Sequence, residues 1–394
     1  MTEDTSSEPF DILVIGAGPA GSAAAFCAAR AGLRVALVDK ARFPRDKLCG
    51  GLFTGRSRAY YREVFGQEFE TDRAVNLSEI EFWYQDRRLA RLSDIPPVNL
   101  TMRRDLDATL LDHALAAGAV DFTGRAIATL DDAGVSLRDG TRLEASVLIG
   151  ADGVNSITAR HLFGAPFDKE TIGFGLEIEA TPEEQPPKDH PLRIDFAAAT
   201  WGYGWSFPKQ HSTTVGVGGL HAPNPDMKAH FSAYLQSLDL PDDTRRFKGH
   251  YLPFGDFRKA PGRAHILLAG DAAGLVDPIT GEGIALAMKS GQLAAEAATA
   301  ALRDGRPETA YTRYHTALRD MHRSLRIARM LRPIIFAPRW QGAFTRTFER
   351  SGTVRMQYMR LLAGEVEYPE LARAVLRRLP RYLMNRIRRS RGPI

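Results

Sequence analysis

The segment KLCGGLF (47–53) places a thiol, Cys49, directly before two glycines, Gly50 and Gly51. A thiol can deliver a proton to a reacting group, and glycines, which lack a Cβ, let the backbone approach a flat ligand closely. The pattern favours a catalytic role for Cys49, with a buried inert thiol as the alternative. The second cysteine, Cys27, lies within a predicted helix among alanines and a phenylalanine, and is expected to be a small core residue.

A second candidate is the segment WGYGWSFPK (201–209), in which aromatic residues occupy positions 201, 203, 205 and 207. This alternation is typical of a β-strand, so the four rings are expected on one face and the small residues on the other. A wall of rings can hold an apolar chain and stabilise developing positive charge. Ordinary core packing is the alternative. Lys209 and Lys47 are candidates to meet an anionic head group, or are solvated rim residues.

The elements that must position these residues begin with FDILVIGAGPAGSAAAFCAARAGLRVALVDK (10–40), whose pattern predicts strand, glycine turn, helix and strand. Gly16 allows a tight turn, Gly18 lets backbone approach a pyrophosphate, and Gly21 lets the helix pack closely on the strand. The N-terminus of that helix offers free N–H groups to the phosphates. Asp39, which ends the second strand, can accept from both ribose hydroxyls. The segment therefore predicts a dinucleotide site.

Two later segments repeat the strand-to-glycine junction, ASVLIGADGVNSITAR (145–160) and HILLAGDAAGLVDPITGEGIALAMKSG (265–291). Each places an Asp, Asp152 or Asp271, at the carboxyl end of a predicted strand, where doubly wound sheets bind ligands. Gly281 and Gly283 would let the amides of the following helix approach the edge of a ring system. Turns and helix caps are the alternative, but three such junctions in one chain favour ligand binding.

These motifs, together with MRRDLDATLLDHALAAGA (102–119), resemble the FAD-dependent superfamily with the p-hydroxybenzoate hydroxylase fold. The resemblance implies FAD as the cofactor and matches Arg103 to a flavin-contacting arginine. The cofactor contacts predicted in this way are Gly16, Gly18, Pro19, Ala20, Gly21, Asp39, Lys40, Cys49, Gly50, Arg103, Asp152, Gly270, Asp271, Gly281, Gly283 and Ile284.

Within the superfamily, the C-G-G segment and the Y-x-W-x-F-P motif resemble the geranylgeranyl reductase family. Many members carry Pro where this chain has Leu48, and Gly or Ala where it has Leu52. These differences bear on the identity of the substrate more than on the class of reaction. The family implies reduction of isolated C=C bonds in the prenyl chain of a lipid, quinone, pigment or diphosphate, with hydride from flavin N5 and a proton delivered near Cys49. Predicted catalytic residues are Cys49, Tyr203 and Trp205; predicted substrate contacts are Gly51, Tyr203, Trp205, Phe207 and Pro208.

Two other functions remain open at this point. A monooxygenase or halogenase would share the fold, and halogenases carry a similar W-x-W-x-I-P motif. Tyr203 and Phe207 replace its first Trp and its Ile, which favours the reductase. A non-catalytic, flavin-bearing lipid-binding module is the third hypothesis. The electron donor is expected to be NAD(P)H or a reduced carrier protein, because neither a second G-x-G-x-x-G unit nor iron–sulfur cysteines occur. No metal site is predicted.

The fold class predicted is α/β, with a Rossmann-like FAD-binding domain, an antiparallel β-sheet substrate domain and C-terminal helices. The FAD domain is expected over 1–75, 101–165 and 255–300, where the glycine junctions lie. Alternating patterns at 76–100 and 166–254 predict the substrate sheet, and 301–394 is predicted to be helical with a basic tail.

Charge is concentrated at the end of the chain. Residues 371–394 contain eight arginines and no acid, so the rest of the chain, whose full net charge is +5, carries −3. The tail is typical of a basic amphipathic helix on an anionic membrane, or of a helix packed on the protein body. Nucleic acid binding is not expected. The polar, acidic start MTEDTSSEPF and the two cysteines favour a cytoplasmic protein, peripheral on the inner face of the membrane if the tail binds there.

Overall fold

The computed structural model describes residues 9–70, 74–93, 95–96, 98–184, 191–254 and 256–373. The strands in this part of the chain are β1 (Phe10–Ile15), β2 (Val35–Asp39), β3 (Leu52–Phe53), β4 (Val75–Leu77), β5 (Ile80–Tyr84), β6 (Arg87–Leu92), β7 (Val98–Leu100), β8 (Val120–Thr123), β9 (Ile127–Leu130), β10 (Gly134–Leu137), β11 (Arg142–Gly150), β12 (Gly173–Ala180), β13 (Leu192–Phe196), β14 (Gly202–Pro208), β15 (Thr213–Leu220), β16 (Lys248–Leu252), β17 (Gly262–Arg263) and β18 (Ile266–Leu268). The helices are α1 (Pro19–Arg30), α2 (Gly55–Phe65), α3 (Arg103–Ala116), α4 (Ile157–Phe163), α5 (Met227–Gln236), α6 (Ile284–Arg303), α7 (Ala310–Ala317), α8 (Arg319–Phe336), α9 (Pro338–Arg350) and α10 (Gly352–Leu362).

The first sheet has the strand order β17-β18-β11-β1-β2-β8, and the five strands from β18 to β8 run parallel. Helices α1, α3 and α6 pack on one face, and the antiparallel β9–β10 ribbon covers part of the other. Helix α6 crosses α1 closely because Gly291 leaves no side chain where a Cβ would overlap the Ala20 carbonyl. Strand β2 ends at Asp39, as the sequence predicts. The carboxyl ends of the parallel strands therefore face one edge, where ligands bind in such sheets.

The second sheet has the order β16-β12-β15-β14-β13-β5-β6. Its pairs are antiparallel except that β13 runs parallel to β5. One face packs on α5, which buries Phe231 completely. The opposite face, toward α8, α9 and α10, carries the rings of β14. This sheet is therefore covered on both sides. The small residues of its strands allow the helices to pack closely on it and are not there because a face is exposed to solvent.

The packing of strand β14 against α5 explains why rings alternate with small residues in its sequence. A Cβ at Gly204 would lie 2.8 Å from the Tyr234 ring carbon Cζ, so the bare face admits α5. Trp201 departs from the predicted row of four rings: it precedes β14, has a left-handed φ of +54°, and its ring lies 5.6 Å from the Arg332 guanidinium. The row on the strand is therefore Tyr203, Trp205 and Phe207.

The α/β fold class predicted from the sequence is confirmed. All strands of the first sheet lie within 1–75, 101–165 and 255–300, and all strands of the second within 76–100 and 166–254. A small sheet of order β3-β7-β4 draws strands from both sets of ranges, so the division into domains stays a prediction. Most of the basic tail, from 374 onward, lies outside the described residues.

Gly204→Val is expected to lower the free energy of unfolding by about 2 kcal/mol, because the added side chain overpacks the contact with Tyr234. Urea denaturation followed by circular dichroism measures this. Gly342→Ala is the control: a Cβ there, inside α9, meets only the end of the Arg346 side chain at 3.5 Å, so stability should stay level or rise. A Gly204→Val midpoint equal to that of the wild type would contradict the packing argument.

Candidate active site

A cavity of about 770 Å³ opens at the carboxyl edge of the first sheet and extends over the ring-bearing face of the second. Its walls come from the glycine turn after β1, the segment after β2, strands β13, β14 and β16, the start of α6, and α10. The dinucleotide motifs and the aromatic strand, which are almost two hundred residues apart in sequence, therefore line one cavity.

The glycine turn has the geometry that a pyrophosphate requires. Gly16 has φ of +98°, and a Cβ at Gly21 would overlap the Gly16 carbonyl oxygen, so α1 must start close to the turn. A Cβ at Gly18 would meet only the end of Arg45, at 3.7 Å, which leaves open space on the cavity side. Helix α1 begins at Pro19 without a side-chain cap, so its first N–H groups are available to phosphate oxygens. These residues fit the FAD pyrophosphate.

Asp39 holds the backbone of the turn in place. One carboxylate oxygen accepts from the Ala17 N–H at 2.9 Å and the other from the Ala41 N–H at 2.8 Å. Each oxygen has a further lone pair for a ribose hydroxyl. Asp152 also lines the cavity, but its carboxylate is engaged by Ser156 Oγ at 2.5 Å and by the Ile157 N–H at 2.7 Å, and so orders the start of α4.

Basic side chains surround the middle of the cavity. Arg103 lines it and donates two hydrogen bonds to the buried Asp107, from Nε at 2.6 Å and Nη2 at 2.8 Å. Arg45 reaches the same carboxylate at 3.1 Å. Burial lowers the pKa of Lys47 to about 8, and burial with the nearby Lys47 and Arg103 lowers the pKa of His250 to about 4. His250 is therefore neutral at physiological pH, and the local charge comes from the other side chains.

The loop before α6 is ordered by Asp277. Its Oδ1 accepts from the N–H groups of Ile279 at 2.8 Å and Thr280 at 3.0 Å, and from the Tyr368 hydroxyl at 2.8 Å. The Tyr203 hydroxyl donates to the Thr280 carbonyl at 2.7 Å, which ties the second sheet to this loop. Helix α6 then starts at Ile284, with Gly283 at its N-cap and no side-chain cap. Its free amides can face the flavin ring edge.

Glu282, in the same loop, is a buried acid. It accepts hydrogen bonds from Thr54 and, at 3.4 Å, from Ser57, and its other oxygen lies 3.6 Å from Arg56 Nε. Burial raises the pKa of Glu282 to about 7, although Arg56 opposes the shift. Arg56 in turn pairs with Glu367 at 3.3 Å. The C-terminal segment thus helps to hold the loop before α6, residues 277–283, which is the cofactor loop.

The C-G-G segment lies directly on the second sheet. The Cys49 N–H donates to Glu177 Oε1 at 2.9 Å, and the Gly51 N–H points to Cys49 Sγ at 3.4 Å. A Cβ at Gly50 would lie 2.8 Å from the Phe207 ring, and one at Gly51 would lie 3.1 Å from Lys209 Nζ. Gly50 is therefore required for this approach, whereas Gly51 is required by its φ of +77° and by the Thr101 carbonyl oxygen, which a Cβ would overlap. Cys49 lines the cavity.

Trp205 lies flat across a floor of glycines. A Cβ at Gly216 would stand 2.6 Å from its Cε2 atom, one at Gly218 3.3 Å from Cζ3, and one at Gly175 3.7 Å from Cη2. The indole Nε1 is buried and has no hydrogen-bond partner in the described part of the chain, although it lies close to Gly50. A donor held in this way at a cavity wall is available to a ligand.

Most of the predicted site residues line this cavity. They are Gly16, Gly18, Pro19, Ala20, Asp39, Lys40, Cys49, Gly50, Gly51, Arg103, Asp152, Tyr203, Trp205, Phe207, Asp271, Gly281, Gly283 and Ile284, joined by Lys47. Gly21, Gly270 and Pro208 are not among the lining residues. Gly21 and Gly270 instead permit close packing, against Gly16 and Ala20 respectively.

Lys209 and Cys27 lie away from the cavity wall. Lys209 is 8% exposed and lies 3.6 Å from Glu179, so it is a buried residue beneath the C-G-G segment and not a solvated rim residue. Cys27 is half-buried against the core, and burial raises the pKa of its thiol to about 12, in keeping with an inert residue.

Sequence reasoning missed Glu177 and the lining residues Ile194, His250, Tyr358 and Leu362. In GFGLEIEA the glutamates alternate with apolar residues, which is the pattern of a strand with one solvated face. That face is buried here, and the sequence carries no signal of what covers it. The α10 residues have ordinary helical spacing and stand out only once the helix is placed.

Residues 11–91 match the family of FAD dependent oxidoreductases. The chain is 30% identical to the menaquinone reductase of Mycolicibacterium smegmatis over 90% of this chain and 92% of that protein. It is 32% identical to the geranylgeranyl diphosphate reductase of Rhodobacter capsulatus, over 76% and 77% respectively. The solved structure of a geranylgeranyl bacteriochlorophyll reductase-like protein from Thermoplasma acidophilum superposes with a TM-score of 0.74 at 20% identity, covering 93% of this chain and 98% of that one, which shows a shared fold.

Gly21→Val is expected to reduce the FAD bound per protein molecule at least tenfold, since its side chain would displace α1 from the Gly16 turn. The ratio of flavin to protein absorbance after gel filtration measures this. Gly342→Ala serves as the control and should retain FAD fully. A Gly21→Val protein that keeps wild-type FAD content would show that the turn does not set cofactor binding.

Proposed function

Because this chain belongs to the geranylgeranyl reductase family of FAD-dependent oxidoreductases, we propose that it saturates C=C bonds of a polyprenyl chain. The chain would be carried by a lipid, a quinone, a pigment or a prenyl diphosphate, and the electrons would come from NAD(P)H or a reduced carrier protein. The observation that supports this most is the placement of Cys49 and the row Tyr203, Trp205 and Phe207 on one cavity with the dinucleotide turn.

An isolated alkene is electron-rich and accepts a hydride only when a proton reaches its other carbon. Bound, reduced FAD supplies the hydride equivalent. Cys49 is the proposed proton donor, because it lines the cavity with the C-G-G backbone fixed against the second sheet. Tyr203 is a poor alternative donor: its hydroxyl proton is committed to the Thr280 carbonyl, and burial raises its pKa. The faces of the rings would stabilise positive charge that develops on the protonated chain.

The substrate would run along the apolar part of the cavity. Ile194 of β13 stands opposite Trp205 in register, and Tyr358 and Leu362 of α10 close the wall. An apolar lining of this kind would keep water away from the reacting carbons and so protect a developing carbocation. Lys47, which also lines the cavity, would meet an anionic head group.

Anaerobic single-turnover kinetics tests the function. The FAD holoenzyme, reduced with dithionite, should be reoxidised by geranylgeranyl diphosphate or a prenylated quinone with formation of the saturated product. Cys49→Ser should slow this step about 100-fold, the usual contribution of a general acid, with unchanged FAD content. Cys27→Ser is the matched control and should react like the wild type.

The alternative function, oxygenation or halogenation, makes the opposite prediction. Flavin would then reoxidise only with O₂ and give a hydroxylated or halogenated product, which would overturn the proposal. A Cys49→Ser protein with the full wild-type rate would retain the function but remove Cys49 from it. A protein that binds prenyl lipid without converting it would support the lipid-binding module instead.

We also propose peripheral contact with an anionic membrane. Among the described helices, none has both the length and the apolar character needed to cross a bilayer. The basic tail predicted to make the contact lies mostly outside the described residues, but α8 and α9 offer support. Met330, Ile334 and Trp340 are 77%, 52% and 51% exposed near the α8–α9 corner. Exposed arginines flank them on the same two helices: 323, 326, 339 and 346. Exposed apolar side chains among arginines are typical of interfacial helices.

Co-sedimentation with vesicles tests the contact. Wild-type protein should bind vesicles of phosphatidylglycerol and not of phosphatidylcholine alone. The triple variant Met330→Ser, Ile334→Ser, Trp340→Ser should lose at least two thirds of the bound fraction. Phe163→Ser, which removes an exposed ring elsewhere, is the control and should bind normally. Equal binding by the triple variant and the wild type would contradict a role for this surface.

A further inference from the structure

The cofactor loop carries buried negative charge into the cofactor site. Glu282 lines the cavity directly before Gly283, the N-cap of α6. Its side chain is 6% exposed, and it accepts hydrogen bonds from Thr54 and, at 3.4 Å, from Ser57. Asp277, at the start of the same loop, is also buried. Two carboxylates are therefore held out of water in one short loop.

These carboxylates have little positive charge to balance them. Among the described residues, one cation forms ion pairs with this cluster: Arg56 of α2 lies 3.6 Å from Glu282 Oε2 through its Nε. The Nη2 of the same guanidinium lies 3.3 Å from Glu367 Oε1, so that one cation serves two acids. Asp277 accepts its hydrogen bonds from two backbone N–H groups and a tyrosine hydroxyl, which are neutral donors. The cluster of three carboxylates and one guanidinium therefore keeps a net negative charge when its acids are ionised.

This charge lies where the flavin ring edge is expected. The cofactor loop ends at the N-terminus of α6, whose partial positive charge by itself favours the negative charge that a flavin gains on reduction. Asp271 lies at the same helix start, with Oδ1 3.6 Å from the position of a Gly283 Cβ, but it is opposed by Lys47. Glu282 and Asp277 act against the helix N-terminus, because charges interact strongly where water is excluded.

The reaction proposed above calls for such an opposing charge. An isolated alkene is a poor hydride acceptor, so its reduction requires a strong hydride donor, which means a flavin of low midpoint potential. A neighbouring negative charge lowers this potential because it disfavours the electron-rich reduced form.

We infer that Glu282, assisted by Asp277, lowers the midpoint potential of the bound flavin and so strengthens it as a hydride donor, a role whose benefit rests on the function proposed above. The two acids act through their charge, without exchanging a proton or an electron with the substrate. The alternative is that Glu282 only fixes the backbone of the loop through Thr54, Ser57 and Arg56.

Glu282→Gln separates the charge from the structure. Glutamine keeps an oxygen that accepts from Thr54 and nearly the same volume, but it carries no charge. The midpoint potential of the FAD holoenzyme is measured at pH 8.5 against a reference dye during slow anaerobic reduction. Burial raises the pKa of Glu282 to about 7, so the wild-type side chain is ionised at this pH. The variant should favour reduced flavin about tenfold more than the wild type, which is a rise of about 30 mV for a two-electron couple.

Two further variants complete this experiment. Asp277→Asn keeps the oxygen that accepts from the loop and from Tyr368, and its potential should rise in the same direction. It decides the question if Glu282→Gln does not fold. Glu63→Gln is the matched control, since it removes the same charge from α2 where the side chain is 45% exposed and paired with Lys289. Its potential should equal that of the wild type, because water and salt screen an exposed charge.

The potential is measured without substrate, so its outcome is independent of the proposed function. A raised potential in Glu282→Gln, together with a wild type that reduces no alkene, would refute the function and leave the electrostatic role in place. If the wild type does reduce the alkene, Glu282→Gln should react more slowly at full FAD content, because its flavin is a weaker hydride donor. A wild-type potential in Glu282→Gln overturns the inference, even if the reaction is slow, and makes Glu282 a structural residue of the loop.

Discussion

The contact between the C-G-G segment and the second sheet is the constraint on which the rest of the site depends. The segment follows the second strand of the dinucleotide unit by about ten residues, yet its backbone is bound by a strand that lies far along the chain. The Cys49 N–H is bound by the Glu177 carboxylate, a Cβ at Gly50 would stand 2.8 Å from the Phe207 ring, and a Cβ at Gly51 would overlap the Thr101 carbonyl oxygen. A side chain at Gly50 would push the segment away from the second sheet, so the position of the Cys49 thiol and the closure of the cavity depend on the same contact.

A second set of contacts fixes the opposite side of the cavity. Tyr203 reaches the Thr280 carbonyl, and Tyr368 reaches Asp277 in the same loop. Arg56 is held between Glu282 and Glu367. The cofactor loop is therefore held from the second sheet, from α2 and from the C-terminal segment at once. Preorganised backbone groups of this kind lose little entropy when a ligand binds, which favours tight retention of a flavin.

Much of this arrangement could be predicted from the sequence, and the part that could not has a physical reason. Gly16, Gly18 and Asp39 follow from short-range rules, because a turn, a helix start and a strand end are local structures. The row of β14 rings also follows from local alternation. Trp201 is not part of this row because its backbone is left-handed, with φ of +54°, and residue periodicity does not predict such a conformation. Glu177 escaped because its importance arises from a segment 128 residues away. The glycine floor under Trp205 escaped for the same reason: the glycines of β12 and β15 acquire meaning only when the strands pair.

The position of α10 has a consequence for how such an enzyme diversifies. Tyr358 and Leu362 contribute to the cavity wall from α10. This helix contains none of the dinucleotide motifs and takes no part in the pairing of the strands. Substitutions on that helix can lengthen, shorten or bend the space for a substrate while the reacting groups keep their geometry. Under the proposed function, chain-length selectivity and redox chemistry would reside in separate parts of the polypeptide, so that one catalytic framework could be adapted to prenyl groups of different size.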